Sequence, residues 1–254
     1  MRIAHISDIH CNFGTDFNDK VYAKGIKILN KVEADLIFIS GDLTTDGLLN
    51  EYELAKEKLK EIDGKLVIVP GNHDERNLGY RLFPEFFGET DFIHTHNDII
   101  LVGLASSEPD RDDGRLGRGR HRLIERGLKK NKMPIIGFHH HVIPIPNSGR
   151  ETNIIEDAGE TLDILLKNSI PLVLMGHRHV PYGVKIHKTL LVNAGTFSCN
   201  RTRAHFGNTF NVIDIKDESI TVNVVNIRKD KQKKMIHFTL KDGCCVNQYY
   251  DNKD

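Results

Sequence analysis

Short runs of β-branched and other apolar residues punctuate the chain, and each early run empties into a polar or glycine-containing cluster. Ile3–Ile6 leads into Ser7-Asp8, Leu36–Ser40 into Gly41-Asp42, and Leu66–Val69 into Pro70-Gly71-Asn72-His73. Ile99–Ala105, Ile135–Phe138 before His139, and Leu172–Met175 before Gly176-His177 follow. Runs apolar at nearly every position predict strands covered on both faces. Between them, Val21, Gly25, Ile28, Leu29 and Val32 recur at helical spacing, as do Tyr52, Ala55, Leu59 and Ile62 after a cap at Asn50. Ile155, Ala158, Leu162, Leu165 and Leu166 mark a third helix. Alternation of this kind predicts βαβ units and a largely parallel sheet. From Thr189 the pattern turns to strands alone: Leu190–Val192, Thr209–Ile215, Ile220–Ile227 and Met235–Leu240, with Arg228–Lys234 as a turn. The expectation is an α/β domain over residues 1–243 with a second, more antiparallel sheet. The segment 244–254 is expected to be a loosely held tail.

The strand ends carry the chemistry. In open α/β sheets ligands bind beyond the carboxyl ends of strands. Five such ends each deliver a metal-capable group: Asp8 and His10, Asp42, Asn72 and His73, His139, and His177 with His179. Carboxylate, amide oxygen and imidazole together suit divalent Mn, Fe or Zn, and the absence of thiolates argues against a structural zinc site. Asp-x-His and His-x-His put alternate side chains on one side of an extended strand end. Glycine before Asp42, Asn72 and His177 admits a sharp turn and close approach.

Composition changes this picture little. Lys+Arg and Asp+Glu balance at 35 each, so any attraction for an anion must be local. The four cysteines show neither metal-type nor secretory spacing, and Cys11, beside His10, reads as a small buried filler. The first residues enter a strand directly, without an apolar leader, and the expectation is a cytoplasmic protein. Arg111, Arg115, Arg118, Arg120, Arg122, Arg126, Lys129, Lys130 and Lys132 form a basic stretch. It reads as a loop and the wet face of a helix with Leu123, Ile124 and Leu128 inward, or as an anion-steering surface for nucleotide or nucleic acid.

Taken in order, Asp8-Ile9-His10, Gly41-Asp42, Gly71-Asn72-His73-Asp74, His139 and Gly176-His177-Arg178-His179 resemble the motif series of the calcineurin-like metallophosphoesterases. The resemblance spans residues 3 to 200. It implies a four-layer α/β/β/α sandwich of two mixed sheets and a centre of two divalent metal ions that drives water onto phosphorus. One ion would be held by Asp8, His10 and His179, the other by Asn72, His139 and His177, with Asp42 bridging. His141 replaces His139 if the register shifts, and His140 would be packing or support. His73 would contact the phosphoryl group or protonate the leaving oxygen, oriented by Asp74. Arg201 or Arg203 would grip a substrate phosphate, or form a surface ion pair. The spacing around Gly41–Gly47, Val69–Asp74 and His139–His141 is most similar to class III cyclic-nucleotide phosphodiesterases, implying a cyclic or similar small nucleotide diester as substrate. A phosphomonoesterase, a nuclease and a metal-free interaction scaffold are the competing expectations.

Overall fold

The computed structural model describes residues 1–129, 132–149, 152–217, 219–240 and, by backbone, 245–247. Two mixed sheets stack face to face with helices outside each, which is the expected α/β/β/α order. The first sheet holds β1 (Arg2–Ile6), β2 (Leu36–Ile39) and β3 (Leu66–Ile68) in parallel. β1 also pairs antiparallel with β10 (Thr209–Lys216), which continues through β11 (Ser219–Asn226), β12 (Lys231–Thr239) and β13 (Cys245–Asn247). The second sheet runs β4 (Phe92–His96), β5 (Ile99–Gly103), β6 (Met133–Gly137), β7 (Leu172–Met175), β9 (Thr189–Asn193) and β8 (Tyr182–Ile186). Its parallel centre is edged by antiparallel β4 and β8.

Three apolar layers account for the stacking. Ile3, Phe38, Leu101, Leu174, Ile213 and Val222 belong to the layer between the sheets. On the outer face of the first sheet, α1 (Asp19–Leu29), α2 (Leu49–Leu59) and α3 (Gly79–Phe87) bury Tyr22, Tyr52 and Phe83. On the outer face of the second, α4 (Gly117–Leu128) and α5 (Ala158–Lys167) bury Ile124 and Leu165. α1 starts where the Asn18 side chain accepts from the Val21 amide, satisfying one of the free N–H groups of the first turn.

The elements differ from the pattern reading in instructive places. The antiparallel strands do not form a sheet of their own; they extend the first sheet through β1. Asn50 does not cap α2, because the helix already begins at Leu49. The Glu51 carboxylate turns back instead to accept from the amides of Asp46 and Thr45 at 2.7 and 3.2 Å. The polar run Lys231–Lys234 is not turn but exposed strand, supported by pairing with β11 rather than by burial. α3, β4 and β8 add elements the pattern did not announce. Of the expected loose tail, Cys245–Asn247 pairs with β12, and residues 244 and 248–254 lie outside the described residues. Among the described residues no helix is long and apolar enough to cross a membrane.

Behind the strand ends the two sheets approach closely where an aromatic ring of one faces a glycine of the other. A Cβ on Gly137, the last residue of β6, would lie 2.3 Å from the Phe38 ring of β2. Gly137→Ala should therefore lower stability by about 1–3 kcal/mol. A urea midpoint unchanged from wild type would show that the ring can yield.

Candidate metal centre

The loops leaving β1, β2, β3, β6 and β7 converge at one end of the seam between the sheets. Pairing continues past the strands: the amides of Asp8, His10 and Cys11 donate to the carbonyls of Gly41, Asp42 and Leu43 at 3.0, 2.9 and 2.7 Å. The loop after β9 fastens the same segment, with Phe197 N, Thr196 Oγ1 and Ser198 Oγ bonded to the carbonyls of Ser7, Asp8 and Ile9. Gly41 has a φ of 90°, and a Cβ there would meet the Gly71 amide at 2.5 Å. Only glycine lets these two loops touch.

The backbone at this edge is not extended. Asp8, His10, Asp42, His177 and His179 have φ values of 54, 56, 56, 73 and 56°. Left-handed conformations in residues with a Cβ are uncommon and cost of order 1–2 kcal/mol each. Alternation along an extended strand thus fails as the reason for the Asp-x-His and His-x-His spacings. Strained turns held by neighbouring loops aim these side chains inward.

Two groups of donor atoms result. In the first, His179 Nε2 lies 3.2 Å from both Asp8 Oδ1 and His10 Nε2, and His10 Nε2 is 3.6 Å from Asp42 Oδ2. In the second, His139 Nε2 lies 3.3 Å from Asp42 Oδ2 and 3.1 Å from Asn72 Oδ1, and His177 Nδ1 is 3.0 Å from the same amide oxygen. Asp42 Oδ2 faces both. All seven residues of the expected set are therefore brought together. His139 rather than His141 occupies the inner position; His141 is stacked on the His177 ring behind it.

The hydrogen bonds around the groups fix what each inner atom presents. His139 Nδ1 donates to the Ser40 carbonyl at 2.6 Å and His179 Nδ1 to the Arg201 carbonyl at 2.7 Å, so in the neutral rings each Nε2 presents a lone pair inward. Each carboxylate spends one oxygen on a backbone amide: Asp42 Oδ1 accepts from His73 N at 2.9 Å and Asp8 Oδ2 from His177 N at 3.1 Å. Their second oxygens face inward, and Asp8 Oδ1 is buried with no hydrogen-bond partner. Acceptors thus confront acceptors on both sides of Asp42. A cation between them relieves this, and edges of 3.0–3.3 Å match bonds of about 2.1 Å to a divalent ion. The donor set fits the expected metals.

Charge in the pocket agrees. Burial holds His10 and His177 well below the usual imidazole range, so both rings are neutral as a metal requires. Burial works against charge on His139 too, yet the Asp42 carboxylate pushes it up to about 9, so without a metal its Nε2 carries a proton toward Asp42, and a bound cation would take that proton's place. Burial would raise Asp42, but the neighbouring His139 and His73 imidazoles hold its carboxyl well below the usual range.

The remaining candidates divide. The His73 ring stands edge-on to His10 at 4.6 Å, and its Nδ1 bonds the Thr45 carbonyl at 2.5 Å. Burial lowers its pKa. Asp74 does not orient His73, contrary to expectation, and is not placed to act on a substrate. It is fully buried, accepts from Thr44 N and Oγ1 at 2.8 and 2.9 Å and from Gly71 N at 2.9 Å, and ties the β2 and β3 loops together. Burial and then the Asp42 charge push its carboxyl up to about 7. Arg201 lies at the rim, its Nε 3.3 Å from Asp16. Arg203 is exposed, its Nη1 3.6 Å from a Cβ position on Gly149. His140 supports the loop after β5, with Nδ1 2.9 Å from Ser106 Oγ and Nε2 3.2 Å from the Asp112 carbonyl. Cys11 is buried filler as expected. Cys199 was not anticipated: its thiol lies within 4.8 Å of ring nitrogens of His10 and His179. Cysteine spacing could not reveal it, since the loop after β9 brings it in from a strand with no metal-type partner.

With the geometry established, comparison with known proteins identifies the family. The family model for calcineurin-like phosphoesterases matches residues 1–181. The chain belongs to that family. Among its relatives, the probable cyclic nucleotide phosphodiesterase of Coxiella burnetii is 27% identical over 210 residues, covering 76% of this chain and 82% of the relative. The probable glycerophosphodiester phosphodiesterase GpdQ of Arcobacter nitrofigilis is 29% identical over 200 residues, covering 70% and 72%. In fold, the chain is similar to a purple acid phosphatase from yellow lupin (TM-score 0.71, 14% identity), spanning 92% of this chain and 52% of that one. It is also similar to a dimetal phosphatase from Danio rerio (TM-score 0.69, 10% identity), spanning 92% and 98%. As a calcineurin-like phosphoesterase, the protein is a metal-dependent phosphoric ester hydrolase.

Opposed acceptors make the metal-free site a liability that a cation removes. Added Mn should raise the thermal unfolding midpoint reversibly on chelation, by about 2.7 kcal/mol of stability at a hundredfold excess over Kd. Asp42→Ala should lose most of this rise. An equal rise in the variant would place the binding elsewhere.

Proposed function

We propose that this phosphoesterase hydrolyses phosphate diesters, a 3',5'-cyclic nucleotide or similar small nucleotide diester foremost, through two divalent cations. Asp8, His10 and His179 hold one cation, Asn72, His139 and His177 the other, and Asp42 both. The observation that carries this reading is the pair of acceptor clusters meeting at Asp42 Oδ2. Bound there, the cations supply Lewis acidity toward the phosphoryl oxygens and a water of lowered pKa.

The chain's own residues do the rest. Backbone bonds to Asp8 and Asp42 keep their inner oxygens fixed, so no reorganisation is needed as charge develops. The Thr45 carbonyl accepts a hydrogen bond from His73 Nδ1, which leaves Nε2 as the ring nitrogen that can serve the substrate. Only the imidazolium form carries a proton on Nε2 as well. That proton passes to the departing oxygen as its bond to phosphorus breaks, leaving the neutral ring bonded to Thr45, and since burial lowers the pKa of His73 this step weakens as pH rises.

Diester preference has its own support. The guanidiniums beside His73 are each paired with carboxylates: Arg76 with Asp112 and Asp46 at 2.8 and 3.6 Å, Arg201 with Asp16 at 3.3 Å. A monoanionic diester needs less compensating charge than a dianionic monoester. The names of the relatives point the same way. A nucleic-acid substrate is less favoured, since Arg111 and Arg120 of the basic stretch pair with Glu108, Glu156 and Asp91.

A substrate panel with Mn tests the preference: bis-p-nitrophenyl phosphate, p-nitrophenyl phosphate, cyclic AMP, 2',3'-cyclic nucleotides and single-stranded DNA. The diesters should be turned over faster than the monoester; the reverse order overturns the assignment. His73→Ala should retain metal yet lose about 10²–10⁴ in kcat with an alkoxide leaving group and far less with p-nitrophenolate. Equal losses with both would remove His73 as the proton donor.

A further inference from the structure

Asn72 differs from the other candidate ligands in one respect. Its amide has two chemically opposite ends, and only the oxygen end binds a cation. Something must decide which end faces His139 and His177. Inside the cluster the ring nitrogens of His139 and His177, 3.1 and 3.0 Å from Oδ1, can donate or accept according to their protonation, so they fix the amide only while they hold protons that a cation would replace.

The decision comes from outside the motif series. Asn72 Nδ2 donates to Asp112 Oδ1 at 3.1 Å, and the same oxygen accepts from Arg76 Nη2 at 2.8 Å. Asp112 sits on the loop between β5 and α4, a stretch whose arginines suggested a solvated surface. That loop is held against the centre at several points. His140 Nε2 is 3.2 Å from the Asp112 carbonyl, Asn77 N donates to Asp110 Oδ1 at 2.7 Å, and Asp110 N donates to the Glu75 carbonyl at 3.4 Å. Arg76 completes the link. Its Nη1 shares the Thr45 carbonyl with His73 Nδ1, at 3.4 and 2.5 Å. One carboxylate and one guanidinium therefore join the partner of the Asn72 amide to the acceptor that orients His73.

We infer that Asp112, backed by Arg76, is a positioning residue that turns the Asn72 amide oxygen toward the second cation and so sets that cation's affinity. Without it, Nδ2 loses its acceptor among the described residues, and wherever the His139 and His177 rings present lone pairs the amide gains by rotating its donors toward them. That rotation removes a ligand and places N–H groups where the cation binds. The effect is selective, since among the described residues the hydrogen bonds of Asn72 and Asp112 that involve a side chain run to one another, Arg76, His139, His140 and His177 and none runs to Asp8, His10 or His179. Loss of an outer partner of this kind typically costs 10–100-fold in metal affinity.

The inference rests on the two-cation reading, and one titration separates the failure of each. Mn binding is followed by electron paramagnetic resonance and calorimetry on wild type, Asp112→Ala and Asp112→Asn. Wild type should bind two ions; fewer overturns the two-cation reading itself. With two ions in wild type, Asp112→Ala should keep the tighter or first site and weaken the other by about 10–100-fold. Its kcat should return toward wild type at saturating Mn, which a merely unfolded or distorted loop would not allow. Asp112→Asn keeps an oxygen for Asn72 while losing the charge that holds Arg76, and should fall between the two. Unchanged affinities in Asp112→Ala, or equal weakening of both sites, overturn the role assigned to Asp112. Should Asp112→Ala fail to fold, unchanged second-site affinity in Asp112→Asn has the same consequence.

Discussion

The centre depends on forcing lone pairs to face one another. Ordinary folding avoids buried acceptors without donors, because each costs on the order of 1–3 kcal/mol. Here carbonyls take the outer protons of His139 and His179, and amides take the outer oxygens of Asp8 and Asp42. What remains inside is a set of atoms that calls for positive charge, supplied by a proton on His139 or by a cation. Everything nearby serves that arrangement, from the left-handed turns that aim Asp8, His10 and His177 to the loop after β9 that clamps them.

The seam between the sheets makes this possible. Asp8, His10, Asp42 and Asn72 come from the first sheet, and His139, His177 and His179 from the second. Neither sheet alone assembles either donor group. Phe38 packs against Gly137 just behind the site so closely that a Cβ there has no room. Left-handed backbone adds cost, which the burial between the sheets offsets.

Much of this was legible in the sequence. The apolar runs marked where strands end, and the seven ligand candidates stood immediately after them, so their convergence followed from the placement of active sites in α/β sheets. What eluded the sequence is equally specific. Asp74 follows His73 yet points away, because consecutive side chains in a tight turn diverge and Thr44 and Gly71 offered it donors. Cys199 and Asp112 reach the centre through loops with no periodicity to read. Lys231–Lys234 looked like a turn because hydropathy reports burial, whereas their strand rests on backbone pairing. α3 did carry a helical spacing in Leu82, Phe83, Phe86 and Phe87, hidden by Pro84.

Anomalous diffraction from crystals soaked in manganese tests the central claim most directly. Two peaks should appear on either side of Asp42, one ringed by Asp8, His10 and His179 and the other by Asn72, His139 and His177. A single peak away from Asp42, or none at full soaking, would contradict it.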